Sequence, residues 1–245
     1  MMKLIFSALL FVCFFTRAAA GQENFERDII PVPGGDLEVF FIGHGTLMLV
    51  YGGKIIHVDP YGTLTDYHEL PKADLILLTH HHRDHLDPAA LEQVHTDKTV
   101  LVLTAICAQA VGGGIIMKNG DIQVVAGNTV EAVPAYNLVH KRDSGQVFHP
   151  KGEGRGYILT LGDIRIYIAG DTENTPEMKG LKNIDYAFLP MNLPYTMTPE
   201  MVADVASAFK PKVLYPYHYG ETYTAEIAAL LQDHPEIEVR IRSMK

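Results

Sequence analysis

Apolar residues come along this chain in short bursts, and burst after burst stops on a histidine, a carboxylate or an amide. The segment DLEVFFIGHGTLMLVYGGKIIHVDP, residues 36–60, is strand-like and breaks at glycines. It predicts three strands, with Gly52-Gly53 folding the last two into a hairpin and giving the chain an antiparallel start. ADLILLTH, residues 73–80, is instead a continuous apolar run, as expected of a strand covered on both faces. Asp87 followed by Pro88 supplies an N-cap and a first-turn proline, which predicts a helix to about Val94.

The rest of the chain repeats this grammar. TVLVLT, DIQVVAG, TVEAVPAYN, GYILTLG, DIRIYIAGD and KVLYPYHYG are strand candidates, while TPEMVADVASAFK and AEIAALLQDH read as amphipathic helices. Many strands with helices between sets of them predict an α+β domain of two mixed sheets flanked by helices, not a Rossmann repeat. Neither G-x-G-x-x-G after the first strand nor G-x-x-x-x-G-K-[ST] occurs, and VGGGI at 111–115 reads as a turn because it lacks the lysine and helix of a phosphate loop. Asp59, His80, Asn137, Asp171 and His218 each close an apolar run. If the strands are neighbours, those five polar ends converge at one edge of the sheets.

Composition changes the picture first at the N-terminus. Lys3, the apolar stretch Leu4 to Phe15 and the small residues Ala18 to Ala20 have the three parts of an export signal. The stretch is shorter than the roughly 20 residues that a membrane-spanning helix needs. The expectation is a signal peptide at 1–20 and one domain at 21–245, periplasmic or secreted, with no stable membrane insertion after cleavage. Losing Lys3 and Arg17 moves the formal charge from −9 to −11. Such acidity argues against nucleic acid or an anionic membrane as partner and leaves a small-molecule substrate. Cys107 is the one cysteine of the mature chain, so no internal disulfide forms, and its apolar surroundings predict a buried, inert thiol.

The chemistry concentrates in LLTHHHRDHLD, residues 77–87. On a regular helix or strand, His80, His82, Asp84 and His85 would not share one face. A loop between a strand end and a capped helix can fold round, sending two imidazoles to one ion and the carboxylate and third imidazole to another. Zinc suits such nitrogen and carboxylate donors, with iron or manganese as fitting substitutes, and two ions per chain are expected. Metal-bound water has its pKa lowered to about 7, and a second ion clamps the oxygens of a hydrolytic transition state. The competing reading is a solvated histidine-rich loop; it does not account for a buried strand immediately before the loop, or for Asp171 and His218 at other strand ends.

THHHRDHLD, with AGDT and YPYHYG downstream, resembles the metallo-β-lactamase superfamily of metal-dependent hydrolases. The wider run from FIGHGTLMLVYGGKIIHVDP through VPAYN, HPKGEGRGYIL and RIYIAGDTENTPEM is similar to its branch holding the L-ascorbate-6-phosphate lactonase and the N-acylphosphatidylethanolamine phospholipase D, over residues 36–242. The resemblance implies an αββα four-layer sandwich with the site at one edge of the facing sheets. Carried over, it puts His80 and His82 on the first ion, Asp84, His85 and His218 on the second, and Asp171 between them. Asp59 matches the aspartate that supports the histidine loop, a carboxylate that orients imidazoles rather than ligating.

One departure stands out. Relatives with a full paired site carry a third histidine for the first ion where this chain has Asn137. Asn is a weak zinc ligand, so the first ion is held less firmly or another group replaces the histidine. His149 and His140 both lie on the following loop; His149 ranks first because Pro150 and nearby glycines hold it in a defined turn, whereas His140 stands beside Lys141 and Arg142. His81 is expected outside the ligand set, His44 either near the site or in a simple turn, and His57, His68, His95 and His234 in structural roles. Lys141, Arg142, Lys151 and Arg155 are the nearest candidates for a phosphate anchor, with a solvated loop as the plainer reading.

The expected function is therefore an exported metal-dependent hydrolase in which metal-bound hydroxide attacks an ester, lactone or phosphodiester and Asp84 relays the proton. The alternatives are a metal-binding module of the same fold without turnover and an iron redox protein. Relatives of the latter replace the second histidine of the motif by glutamate, and His82 argues against it.

Overall fold

The computed structural model of the protein describes residues 25–244. The expected export signal lies outside the described residues. The first sheet runs in chain order through β1 (Glu26–Val32), β2 (Gly35–Gly43), β3 (Thr46–Tyr51), β4 (Lys54–Val58), β5 (Leu75–Leu77), β6 (Val100–Leu103) and β7 (Ile115–Ile116). The second contains β8 (Ile122–Val125), β9 (Asn128–Ala135), β10 (Gly154–Leu161), β11 (Ile164–Ile168), β12 (Tyr186–Pro190), β13 (Val213–Tyr217) and β14 (Glu238–Val239). Each sheet begins as an antiparallel meander of four strands, β1 to β4 and β8 to β11, and continues with three parallel ones. The parallel crossovers carry α1 (Pro88–Val94), α2 (Ala105–Val111), α3 (Pro176–Lys179), α4 (Pro199–Phe209) and α5 (Glu226–Leu230).

Strand periodicity explains the layers. Val39, Phe41, Leu47, Leu49, Leu75 and Leu77 point into the core shared with the second sheet. Their neighbours Phe40, Ile42, Met48, Ile76 and Leu78 form a separate core with Leu91 and Val94 of α1 and Cys107 of α2. The continuous apolar run at β5 thus reflects a strand covered on both faces. On the far side, Phe209 of α4 meets Tyr167 of β11 edge to face, 6.2 Å between ring centres. The result is helix, sheet, sheet, helix, the αββα sandwich expected from the sequence.

Local signals account for most boundaries. Asp87 caps α1 by accepting from the Ala89 and Ala90 amides, and Thr104 caps α2 by accepting from the Cys107 amide. α2 ends on Gly112 at φ 81°, so the glycine run is the turn anticipated for it. Cys107 is fully buried and burial pushes its thiol pKa up. β1 is absent from the sequence reading because Pro31 interrupts it, and proline is tolerated there since β1 is an edge strand. β7, β12, β14, α2 and α3 are likewise additions to that reading. α5 stops at Leu230 although its pattern runs to His234.

His57, expected to be structural, is completely buried in β4 and its Nε2 donates to the Pro71 carbonyl at 3.0 Å. Burial, only partly offset by that bond, pushes its pKa down to about 4. In the unfolded chain the group titrates near 6.5, so on acidification the unfolded state takes up the proton first. Its contribution to stability is present above about 6.5 and falls as pH drops toward about 4. Between pH 7 and 5 this one group is expected to remove about 2 kcal/mol. Denaturant titrations of wild type and His57→Gln at both pH values should show the wild type losing that much more than the variant; equal losses would contradict the assignment.

Candidate metal centre

The five strand ends meet at one edge of the sandwich, and the backbone shows how. His44, Asp59 and His218 have positive φ, 51°, 44° and 44°, three of the six non-glycine residues of that kind among the described residues. Each turns the chain as it leaves a strand, at a conformational cost of about 1–2 kcal/mol. Hydrogen bonds then stitch the sheets together around the site: Tyr157 Oη donates to the Leu78 carbonyl at 2.9 Å, the Arg155 amide to Thr79 O at 2.9 Å, and the His218 amide to His44 O at 2.9 Å.

Asp171 stands between two sets of donors. On one side, His85 Nε2 and His218 Nε2 are 3.0 Å apart and each is 3.5 Å from Asp171 Oδ1. The same nitrogens lie 3.7 and 3.5 Å from Asp84 Oδ2. On the other side, Asp171 Oδ2 is 3.3 Å from His149 Nε2 and 3.9 Å from His80 Nε2. His80, His82 and His149 bring one ring nitrogen each within 4.8 Å of one another. His80, His85, Asp171 and His218 are buried, and His80 Nε2 and Asp171 Oδ1 have no hydrogen-bond partner. Buried polar atoms normally have one.

This arrangement fits a divalent cation. A tetrahedral ion with bonds of about 2.0–2.1 Å holds its ligands about 3.3–3.4 Å apart. The spacings around His85, His218, Asp84 and Asp171, from 3.0 to 3.7 Å, bracket that value.

The surroundings dictate which nitrogen of each ring faces the cluster. Asp59 accepts from the Thr79 amide at 2.8 Å, from Thr79 Oγ1 at 2.5 Å and from His85 Nδ1 at 2.8 Å. His85 must therefore carry its proton on Nδ1. Thr79 donates its single hydroxyl proton to Asp59, so at 3.1 Å it can only accept from His80 Nδ1. One carboxylate thus sets two rings, the second through a threonine that the sequence reading did not single out.

Asn137 does the same for His149. Its amide nitrogen donates to Glu173 Oε1 at 3.0 Å and Tyr195 O at 2.8 Å, leaving its oxygen to accept from His149 Nδ1 at 2.7 Å. Glu173 is fully buried and also accepts from the backbone amides of Leu138 and Val139, both at 2.6 Å, and His140 at 2.7 Å. This residue was invisible in the sequence, because its partners lie 33 to 36 positions away and most are main-chain groups. Gly45 matters through size: a Cβ there would come within 2.8 Å of His85 Cε1 and 3.1 Å of His218 Cδ2.

Charge follows geometry. Burial alone would lower the pKa of His85, but Asp171, Asp59 and Asp84 outweigh it and push it up to about 9. A cation taken up at this nitrogen displaces a proton. His82 is pushed down to about 4, by burial and then by the neighbouring His149. Burial would raise the carboxyl of Asp171, yet His218, His85 and His149 hold it well below the ordinary range. Asp84 is likewise held low, against burial, by His218 and by His44, whose Nε2 lies 2.9 Å away.

Of the residues considered from sequence, the structure brings together His80, His82, Asp84, His85, His149, Asp171 and His218, with Asp59 and Asn137 behind them. His44 belongs with them through Asp84. His140 turns away, its Nδ1 2.8 Å from Glu173 Oε1. Lys151 pairs with Glu177 at 2.7 Å, and Arg155 reaches the carbonyls of Met117, Gly152 and Gly154. Arg142, by contrast, lines the cavity of about 470 Å³ above the donors, with Arg83, Phe148 and Tyr195.

A family model described as Beta-lactamase superfamily domain matches residues 38–218. A metal-dependent hydrolase from Thermococcus onnurineus is 32% identical over 196 residues, covering 75% of this chain and 85% of that protein. Among solved structures, a proposed metal-dependent hydrolase from Parabacteroides distasonis is 47% identical with a TM-score of 0.86, over 90% of this chain and 100% of that one. Igni18, a metallo hydrolase from Ignicoccus hospitalis, shares the fold at 24% identity and a TM-score of 0.68, over 85% and 96% of the two chains. Fold, donor cluster and a match spanning most of the sequence agree: the protein belongs to the metallo-β-lactamase superfamily, in the family of the beta-lactamase superfamily domain.

Proposed function

We propose that the protein is a metal-dependent hydrolase that adds water across an ester or phosphodiester bond, releasing an acid and an alcohol, or across a lactone, opening it to a single hydroxy acid. It holds two divalent cations, zinc being the best match to the donors. His80, His82 and His149 serve one, Asp84, His85 and His218 the other, and Asp171 both. The supporting observation is that the two oxygens of Asp171 face two different histidine sets, at 3.5 Å and at 3.3 Å for the nearest nitrogens. The curated and solved relatives named as metal-dependent hydrolases point the same way.

A cation pair of this kind lowers the pKa of water and stabilises negative charge on the reacting oxygens. The chain's own residues prepare that chemistry. Asp59 and Thr79 keep the Nε2 lone pairs of His85 and His80 directed inward, and Asn137 does so for His149. His218 and His44 hold Asp84 in its charged form, which keeps a carboxylate donor available to a cation.

The test counts metal by mass spectrometry on the purified full chain and measures hydrolysis of p-nitrophenyl acetate, a γ-lactone and bis(p-nitrophenyl) phosphate. Two ions per chain are expected, with turnover of at least one substrate that a chelator abolishes and zinc restores. Two tight ions without turnover of any would favour the binding module.

A further inference from the structure

The hydrolase reading leaves the substrate open, and the rim of the cavity narrows it. Seven arginines lie among the described residues. Arg27, Arg165, Arg240 and Arg242 are ion-paired, and Arg155 is occupied by three backbone carbonyls. The remaining two, Arg83 and Arg142, have no carboxylate within 4.0 Å among the described residues, and both line the cavity over the metal donors. Both therefore hold a guanidinium charge over the donors that no carboxylate within 4.0 Å among the described residues offsets.

Arg142 is also held in place. It sits on a small hairpin closed by the Lys141–Val147 bridge and by reciprocal backbone bonds of 2.8 Å with Gln146 and Gly145. The Asn137 amide donates to His149 O at 2.8 Å and closes the base of the loop. The guanidinium carbon stands 5.0 Å from the centre of the Phe148 ring, which packs edge to face on Tyr195 at 5.0 Å. His149 is the next residue, so the anchored loop that delivers a metal donor also delivers a cation and an aromatic ledge. Its Nη2 donates to the Phe148 carbonyl at 3.5 Å, a bond that uses one of its five N–H groups. A guanidinium stacked on an aromatic face and paired with no carboxylate is suited to carboxylate or phosphate oxygens.

We propose that Arg142 and Arg83 form the anion-binding part of the substrate pocket, with the Phe148–Tyr195 ledge taking an apolar or aryl group. The substrates would then be esters carrying a negative charge close to the scissile bond. The charge can be the phosphoryl group itself or a carboxylate on the acyl part, and three esters separate these cases. Bis(p-nitrophenyl) phosphate carries the first, mono-p-nitrophenyl succinate the second, and p-nitrophenyl acetate neither.

In the metal-loaded full chain, Arg142→Ala is expected to lower the ratio of kcat/KM for the anionic to the neutral ester about tenfold, mainly through KM. The double variant Arg83→Ala/Arg142→Ala should lower it further, and Arg142→Lys should recover part of it. Whichever anionic ester shows the fall identifies the source of the charge. Calorimetric binding of inorganic phosphate, at matched metal content, should weaken about tenfold in the same variants. An unchanged ratio together with unchanged phosphate affinity would overturn the proposal. If no ester is hydrolysed, the hydrolase reading fails on that result, and phosphate calorimetry alone decides the anion site: weakened binding supports it and unchanged binding rejects it.

Discussion

Asp171→Ala is expected to abolish hydrolysis, by about 10³-fold or more, equivalent to about 4 kcal/mol of barrier, while metal content falls from two ions per chain to one or none. The reason is position. Asp171 is buried, its Oδ1 lies 3.5 Å from both His85 Nε2 and His218 Nε2, and its Oδ2 lies 3.3 Å from His149 Nε2. No other carboxylate among the described residues contacts both sets. On the two-cation reading proposed above, removing it would take one donor from each cation, and it removes the negative charge that offsets the surrounding imidazoles. Asp171→Asn separates charge from shape, since it keeps the volume and one weak oxygen donor; it should bind metal somewhat better than alanine and still hydrolyse poorly. Metal analysis alongside kinetics checks both variants. Either one retaining two ions and activity within tenfold of wild type would refute the bridging role.

A larger effect on folding should come from a residue that touches no donor atom of the cluster directly. Glu173→Ala is expected to lower stability by about 3 kcal/mol, because the three backbone amides of residues 138–140 and the Asn137 side chain lose their shared acceptor in a buried place. The local consequence is more specific than the global one. Asn137 loses one of the two partners that hold its amide, so His149 loses its orientation and the cation served by His80, His82 and His149 should be released first. Glu173→Gln keeps the length but turns an NH₂ toward groups that are all donors, and should share the defect in milder form. Thermal melts with metal titrations are the measurement. A variant that melts earlier but binds both ions with wild-type affinity would disprove the link to His149.

The fold was readable to the extent that burial writes itself into local pattern. The two-faced covering of β5 appears as an unbroken apolar run, and the hairpin at Gly52-Gly53 and the capped start of α1 carry their own turn and cap residues. β1 escaped because Pro31 argues against a strand unless one knows that it lies at an edge, and edge position is a property of the assembled sheet. The donors were readable for a related reason: imidazoles and carboxylates crowded at the ends of buried strands have little structural use there unless something binds them.

The support behind those donors was not readable in the same way. Departure from the family at Asn137 could be seen, and so could two histidines, His140 and His149, on the loop that follows it. Only the packed structure set His149 against Asp171 and sent His140 toward Glu173. Sequence by itself determined two mixed sheets with flanking helices, the polar ends of the buried strands and the kind of chemistry, because these follow from residue types at local spacing; the four-layer order came with the family resemblance, and convergence of the ends followed only once the strands were neighbours. Tertiary structure alone decided which nitrogen of each ring faces inward, that Glu173 ties down the loop at 138–140, and that Arg83 and Arg142 share a rim. Those depend on hydrogen bonds and neighbours separated by tens of residues, and contacts of that range leave no periodic trace along a chain.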